Sequence, residues 1–420
     1  MRLRLLVTLT VLSLAAAACS TAPGTTTPTN ATVPSESLLL AGAGGPVVVR
    51  IPSGSVVFDT EGAVSSLGGR WLLTSSDGSD TTVLETRDGA TGEIVARSSV
   101  PSDLDVRIVS ESGEAVALMD PLPAGWDPHV PLPRATTRIV VADPDGGSEP
   151  QTFDLVGNFE PEAFSADDGR LFLIQHLPAE TPRAYRVAML DLARGKVLPV
   201  FGPFKGPAER MPGIRLQQTI SPDADQLYTL YSSATPGYTP HSEPSDDGRI
   251  VSFVHVLSLE DGWAHCVGLP RSMWDRPSSD MAIAPSPDGA YLFVFDAGRG
   301  EIAVMDTESL RVRSGPVDLR VDDLRRTSAQ VSADAETLYV ATSAERSTIT
   351  AIDVRTFDVL DRWDVDGDVT GLGLSADGER LYAATSDDGL AMFALATGEE
   401  LDEVTVQTPE PVTRVIPLGA

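Results

Sequence analysis

Five stretches of the chain share one pattern: "SADDGRLFLI" from Ser165, "SPDADQLYTL" from Ser221, "SPDGAYLFVF" from Ser286, "SADAETLYVA" from Ser332 and "SADGERLYAA" from Ser375. Each places an Asp two residues after the Ser and a Leu six residues after it. Two weaker copies, "SSLGGRWLLT" and "SESGEAVALM", start at Ser65 and Ser110. The starts lie 43 to 65 residues apart. Self-similarity at that period marks a repeat architecture, in which each unit stacks on its neighbours because it cannot bury its apolar faces alone.

One unit reads as four strands. "VTGLGLS" (Val369 to Ser375) is short and apolar, "RLYAAT" and "LAMFAL" follow, and "ELDEVTV" is a more polar fourth. "ADGE", "SDDG" and "ATGE" separate them, with Asp carboxylates to bond nearby amides and Gly to accept positive φ. Strands with turn signals every 8–12 residues indicate an all-β fold, and no segment after the N-terminal leader carries a helical apolar stripe. Repeated four-stranded antiparallel units describe a single β-propeller.

Units start near residues 62, 104, 159, 213, 279, 326 and 368. "SLLLAGAGG", "PVVVRIP" and "SVVFDTE" at the N-terminus supply three more strands, and "PVTRVIPLG" at the C-terminus supplies one. Together they make an eighth blade that closes the ring and leaves no open sheet edge between first and last units. Eight blades is the favoured count and seven the alternative. The Ser-x-Asp turns are expected to join the first and second strands of each blade; spread around a ring, they cannot converge on one substrate.

Apolar strands ending in an Asp or turn residue also recur, as in "AVMDTESLRV" (Ala303), "TAIDVRTFDV" (Thr350), "AMLDLARGKV" (Ala188) and "IVVADPDGGS" (Ile139). With the "LYVA" strands, this combination resembles the YVTN and WD40-like propeller repeats of bacterial envelope proteins, over nearly all of residues 38–418. The Gly-His and Trp-Asp marks of true WD40 repeats and the Thr-Trp ending of sialidase Asp boxes are missing.

At the N-terminus, Arg2 and Arg4 precede the apolar run Leu5 to Ala18, and Cys19 follows. A basic start, an apolar stretch short for a bilayer span and small residues before the cut describe an export signal. The "AAAC" ending resembles a bacterial lipobox, with Ala16 where Leu is usual. Residues 1–18 are expected to be a lipoprotein signal peptide, Cys19 the lipid attachment point, 19–37 a Thr/Pro/Ser-rich tether spanning about 3 Å per residue when extended, and 38–420 the propeller. The resulting location is the outer leaflet of the cytoplasmic membrane.

Asp and Glu outnumber Lys and Arg 60 to 31, for a net charge of −29. That surface repels nucleic acid and anionic lipid, so no nucleic-acid partner is expected and membrane contact is through the lipid anchor only. With Cys19 lipidated, Cys266 is the sole remaining thiol; no internal disulfide can form. Cys266, in "GWAHCVGL", reads as a small apolar residue on a buried strand. Known reaction signatures are missing: no GxSxG, no CxxCH and no CxxC. "DVDGDVT" from Asp364 fails as a calcium loop at positions 6 and 12 and reads as an inter-blade turn. "GAGG" at Gly42 to Gly45 has no helix after it to bind a phosphate. No cofactor, catalytic residue or metal ligand set is expected.

Insertions carry the functional signal. The segments 120–137, 176–185 and 232–249 should connect second to third strands, and 202–215 and 269–280 should connect blades. All five belong to neighbouring blades and one face, where insertions often mark a binding surface. They hold Trp126, His129, Lys205, Arg210, Tyr238, His241, Trp274 and Arg276, residue types enriched at binding hot spots. The same aromatic residues could instead pack on one another and order the loops. The leading expectation is a monomeric, non-enzymatic binding or scaffolding module that engages an envelope protein or polymer through this face. The alternative is a propeller enzyme, lactonase-like or quinoprotein-like, with a metal or cofactor at the channel mouth.

Overall fold

The computed structural model describes residues 35–420, apart from 43, 61, 79, 102, 124–129, 203–210, 212–213, 233–251, 275, 388, 407–411 and 419–420. The described strands form eight four-stranded antiparallel sheets arranged as propeller blades. Blades 1 to 7 begin with inner strands at Val64–Ser65, Asp105–Val109, Asn158–Phe164, Ile214–Ile220, Met281–Pro285, Arg326–Val331 and Val369–Leu374. Each lies within two residues of its expected start. Blade 8 takes its inner strand, Val412–Leu418, from the C-terminus and Glu36–Gly42, Gly45–Ile51 and Ser55–Asp59 from the N-terminal side. The count is eight, and the one-plus-three closure holds.

Period-2 alternation makes the ring cohere. In the second strand of blade 5, Leu292 and Val294 join Leu230, Val254 and Val256 of blade 4. The intervening Phe293 and Phe295 join Val331, Leu338 and Val340 of blade 6. Both faces of the strand are therefore buried, which is why it reads as a continuous apolar run. Each such side chain contributes about 1.5–3 kcal/mol on burial.

The Ser-x-Asp turns have one geometry. The Ser hydroxyl donates to the Asp carboxylate at 2.5–2.6 Å. It accepts the N–H five residues on at 2.9–3.0 Å. The Asp accepts the N–H two residues beyond itself at 3.0–3.2 Å. The fourth residue of every copy has positive φ, and in three copies it is Asp168, Ala224 or Ala335 instead of Gly. In blade 1 the repeat runs from Ser66, not Ser65: Trp71 N–H donates to Ser66 Oγ at 3.3 Å. Leu72 then falls six residues on, as in the other copies. Gly68 occupies the Asp position, and Glu111 of blade 2 supplies the carboxylate, accepting Gly68 N–H at 3.1 Å.

Antiparallel strands place these turns, with those between third and fourth strands, on one face (the turn face). Second-to-third connections and inter-blade connections lie on the other (the loop face). Glu36 begins a second strand and Leu418 ends an inner strand, so both described chain ends are on the turn face.

The ring is not uniform inside. Gly373 lets the inner strand of blade 7 lie against that of blade 8; a Cβ there would be 2.3 Å from Val415 O. Bulges interrupt the inner strands of blades 2, 3, 4 and 7, with Arg107, Glu162, Leu216 and Thr370 as the extra residues. Helix is limited, among the described residues, to two single turns, Arg271–Met273 and Ser278–Asp280. None is long and apolar enough to cross a membrane. The expectation of a buried Cys266 is overturned: it lies on the outermost strand of blade 4, exposed, with Sγ 3.6 Å from Met211 Sδ. A fourth strand has no further strand to cover its outer edge, and apolar context in sequence does not distinguish it from an inner one.

Candidate functional site

The long connections root where the sequence placed them, on the loop face of blades 2 to 5. Cys19, Trp126, His129, Lys205, Arg210, Tyr238 and His241 lie outside the described residues. Trp274 and Arg276 are described, and both are engaged within the connection between blades 4 and 5. Trp274 is half-buried; its Nε1–H donates to Leu269 O at 3.0 Å and Arg271 lies over its ring at 5.7 Å. Arg276 bonds Asp280 and stands 3.3 Å, Nε to Oδ2, from the fully buried Asp296. Burial pushes the Asp296 carboxyl up to about 6, against the pull of Arg276. Gly298 leaves the room for this guanidinium: a Cβ there would lie 1.9 Å from Arg276 Nη2.

A cluster of polar side chains lies between blades 3 and 4, and sequence reasoning passed over it. Asn158, fully buried at the start of an inner strand, donates to Leu132 O at 2.7 Å and Ala179 O at 3.0 Å. One amide thus ties two loop-face connections together. Arg134, from the first of them, pairs with Glu160. Glu162, the bulge residue two positions on, accepts from Gln218 at 2.6 Å and Arg215 at 3.3 Å. Its carboxylate raises the Arg215 guanidinium further above its usual range, so that guanidinium stays charged. Beside them, burial and the cations Arg134 and Arg215 lower His176 to about 4, so its ring is neutral. Tyr185 and Tyr231 meet in a tilted contact with centroids 5.1 Å apart; burial raises both phenols, which stay protonated. A signal was present: "NFEPEAF" (Asn158 to Phe164) puts two Glu into an inner strand whose counterparts in blades 5 and 7 have none.

Toward the axis this cluster borders a cavity of about 260 Å³ between the inner strands of blades 1 to 4. Arg107, Glu111, Glu162, Arg215 and Gln218 line it together with apolar Val64, Leu67, Ile108, Val109, Phe164 and Leu259. Burial raises the Glu111 carboxyl, and its bonds from the blade 1 turn and the nearby Arg414 oppose this. No group of three or more potential metal ligands occurs among the described residues.

Fold and site together define an eight-bladed propeller with an elaborated loop face and a charged, half-apolar channel cavity. Among solved structures, the chain is similar to apo AztD from Citrobacter koseri, at 13% identity over 92% of this chain and 99% of that one, with a TM-score of 0.52. It is similar too to the dihydro-heme d1 dehydrogenase NirN in complex with DHE, at 16% identity over 94% of this chain and 78% of that one, TM-score 0.51. No family model and no curated protein matches the sequence. Likeness at these identities shows the propeller fold and transfers no chemistry.

Proposed function

We propose that this protein is an exported, lipid-anchored binding propeller whose loop face engages a protein or polymer of the cell envelope. The observation that carries the reading is the asymmetry of the two faces. The turn face is built from short, internally bonded Ser-x-Asp turns. The loop face of blades 2 to 5 carries the four longest strand connections, 120–135, 200–213, 233–252 and 269–280, on a platform held by Asn158, Arg134–Glu160 and Arg276–Asp280. Such a platform lowers the ordering cost of the loops it supports, which is how a rigid scaffold gains affinity. Glu36, at the start of the described residues, lies on the turn face, opposite the loop face.

The test is affinity capture from crosslinked envelopes, comparing intact protein with one whose 121–137 and 232–249 connections are shortened. A partner recovered only with intact connections supports the proposal. Equal recovery from both removes the loop face from consideration. Globomycin-sensitive processing and loss of membrane association in Cys19→Ala test the anchor separately.

A further inference from the structure

We infer that the channel cavity is a binding site for a small carboxylate with an apolar body. This is independent of the loop-face reading. Bulges on successive inner strands build the site: Arg107 and Glu162 are the extra residues of blades 2 and 3, and Arg215 flanks the bulge of blade 4. A bulge re-aims a side chain out of the regular alternation, and bulges concentrate next to functional sites. Here they turn three charged side chains from three blades into one cavity.

Hydrogen-bond supply sets the sign of the ligand. Glu162 already accepts through both oxygens, from Arg215 and Gln218. Glu111 is taken up by the Gly68 amide through both of its oxygens. Donors remain in excess. Arg107 Nε–H is buried with no hydrogen-bond partner, and its Nη2 donates one hydrogen bond, to the Asp120 carbonyl at 3.0 Å. Arg215 is 54% exposed, into the channel. An unsatisfied buried guanidinium donor is costly, and a planar carboxylate is the acceptor whose geometry matches it.

Charge sets the valence. Arg215 is balanced by Glu162 and Arg414 faces Glu111. Arg107 is paired loosely, at 3.8 Å with the half-exposed Asp105. One loosely paired cation with an unused donor suits a monoanion. The apolar walls formed by Val64, Leu67, Ile108, Val109, Phe164 and Leu259 suit a hydrocarbon or aromatic body. About 260 Å³ limits that body to on the order of ten non-hydrogen atoms, at somewhat less than the ~30 Å³ that liquid water takes per molecule.

The experiment is calorimetric titration of the purified protein with benzoate, isovalerate and inorganic phosphate at neutral pH. The expected result is saturable one-to-one binding of at least one of the two carboxylates and none of phosphate. Arg107→Met should weaken it about tenfold or more, the loss of one charge-assisted bond. Ser65→Leu, which fills the cavity and leaves every charge in place, should abolish it; circular dichroism confirms that both variants fold. No saturable carboxylate binding to the native protein, unchanged affinity in both variants, or tighter binding of phosphate than of either carboxylate would overturn the inference.

Discussion

Glu36 and Arg380, 344 positions apart in the chain, form a buried ion pair of 3.0 Å. The same Glu36 carboxylate accepts from Tyr382 Oη–H and, at 3.2 Å, from Ala376 N–H. Blade 8 pairs an inner strand from one part of the chain with a second strand from the other, so no Ser-x-Asp turn joins them. Glu36 takes the corresponding place and fastens the closing blade to the turn of blade 7. Glu36→Gln leaves Arg380, itself 8% exposed, with Asp377 at 3.2 Å as its remaining charge partner, so the loss should fall below the ~3–5 kcal/mol of a buried charge left uncompensated. Urea unfolding should show that loss, and an unchanged midpoint would mean the closure rests on strand pairing alone.

Ala224 and Ala335 have φ of 62° and 60° in their turns. A left-handed conformation costs an L residue about 1–2 kcal/mol that Gly does not incur, less the entropy Gly loses on folding. Ala224→Gly and Ala335→Gly should each stabilise by up to about 1 kcal/mol, and Gly289→Ala, at φ 72°, should destabilise. Chemical denaturation of the three variants checks the sign at each site.

Gly373 answers a different constraint, space. Gly373→Ala forces the inner strands of blades 7 and 8 apart, since Val415 O stands 2.3 Å from the new Cβ. Overpacking of this kind costs about 1–3 kcal/mol. Backbone amide exchange should rise first in Val412–Leu418.

Three buried groups set opposing pH trends. His176 and His255 both titrate at about 4 when folded, lowered by burial. The unfolded chain therefore protonates first as pH falls from 6.5, and stability is lost between 6.5 and 4. Asp296, raised to about 6, acts the other way, because the folded state takes up its proton first and gains stability from pH 6 down to about 4. The histidine contribution falls on acidification across this window, opposed by Asp296 and by Glu111 and Asp168, which burial also raises. His255→Gln should flatten the fall and Asp296→Asn should steepen it, read as urea midpoints from pH 4 to 7. The Ser-bonded carboxylates of the turns, Asp167, Asp223, Asp288, Asp334 and Asp377, all titrate lower than usual. Their contribution is lost only below about pH 4.

The sequence by itself determined the propeller, the eight blades and the terminal closure. Those follow from local chemistry repeated at a fixed period: the Ser, the Asp and the Leu six residues on build the same corner wherever they occur. It also determined which face carries the insertions, because antiparallel connectivity leaves no freedom there. Tertiary structure decided what depends on one blade facing another. Glu111 serving the turn that begins at Ser66, Glu36 clasping Arg380, and Cys266 falling on an exposed outer strand are outcomes of blade packing, with no signature in any single repeat. The channel cavity is the clearest case. Arg107, Glu162 and Arg215 lie 53 to 55 positions apart in separate units, and each is brought to the axis by a bulge, a one-residue change of register that only paired strands define.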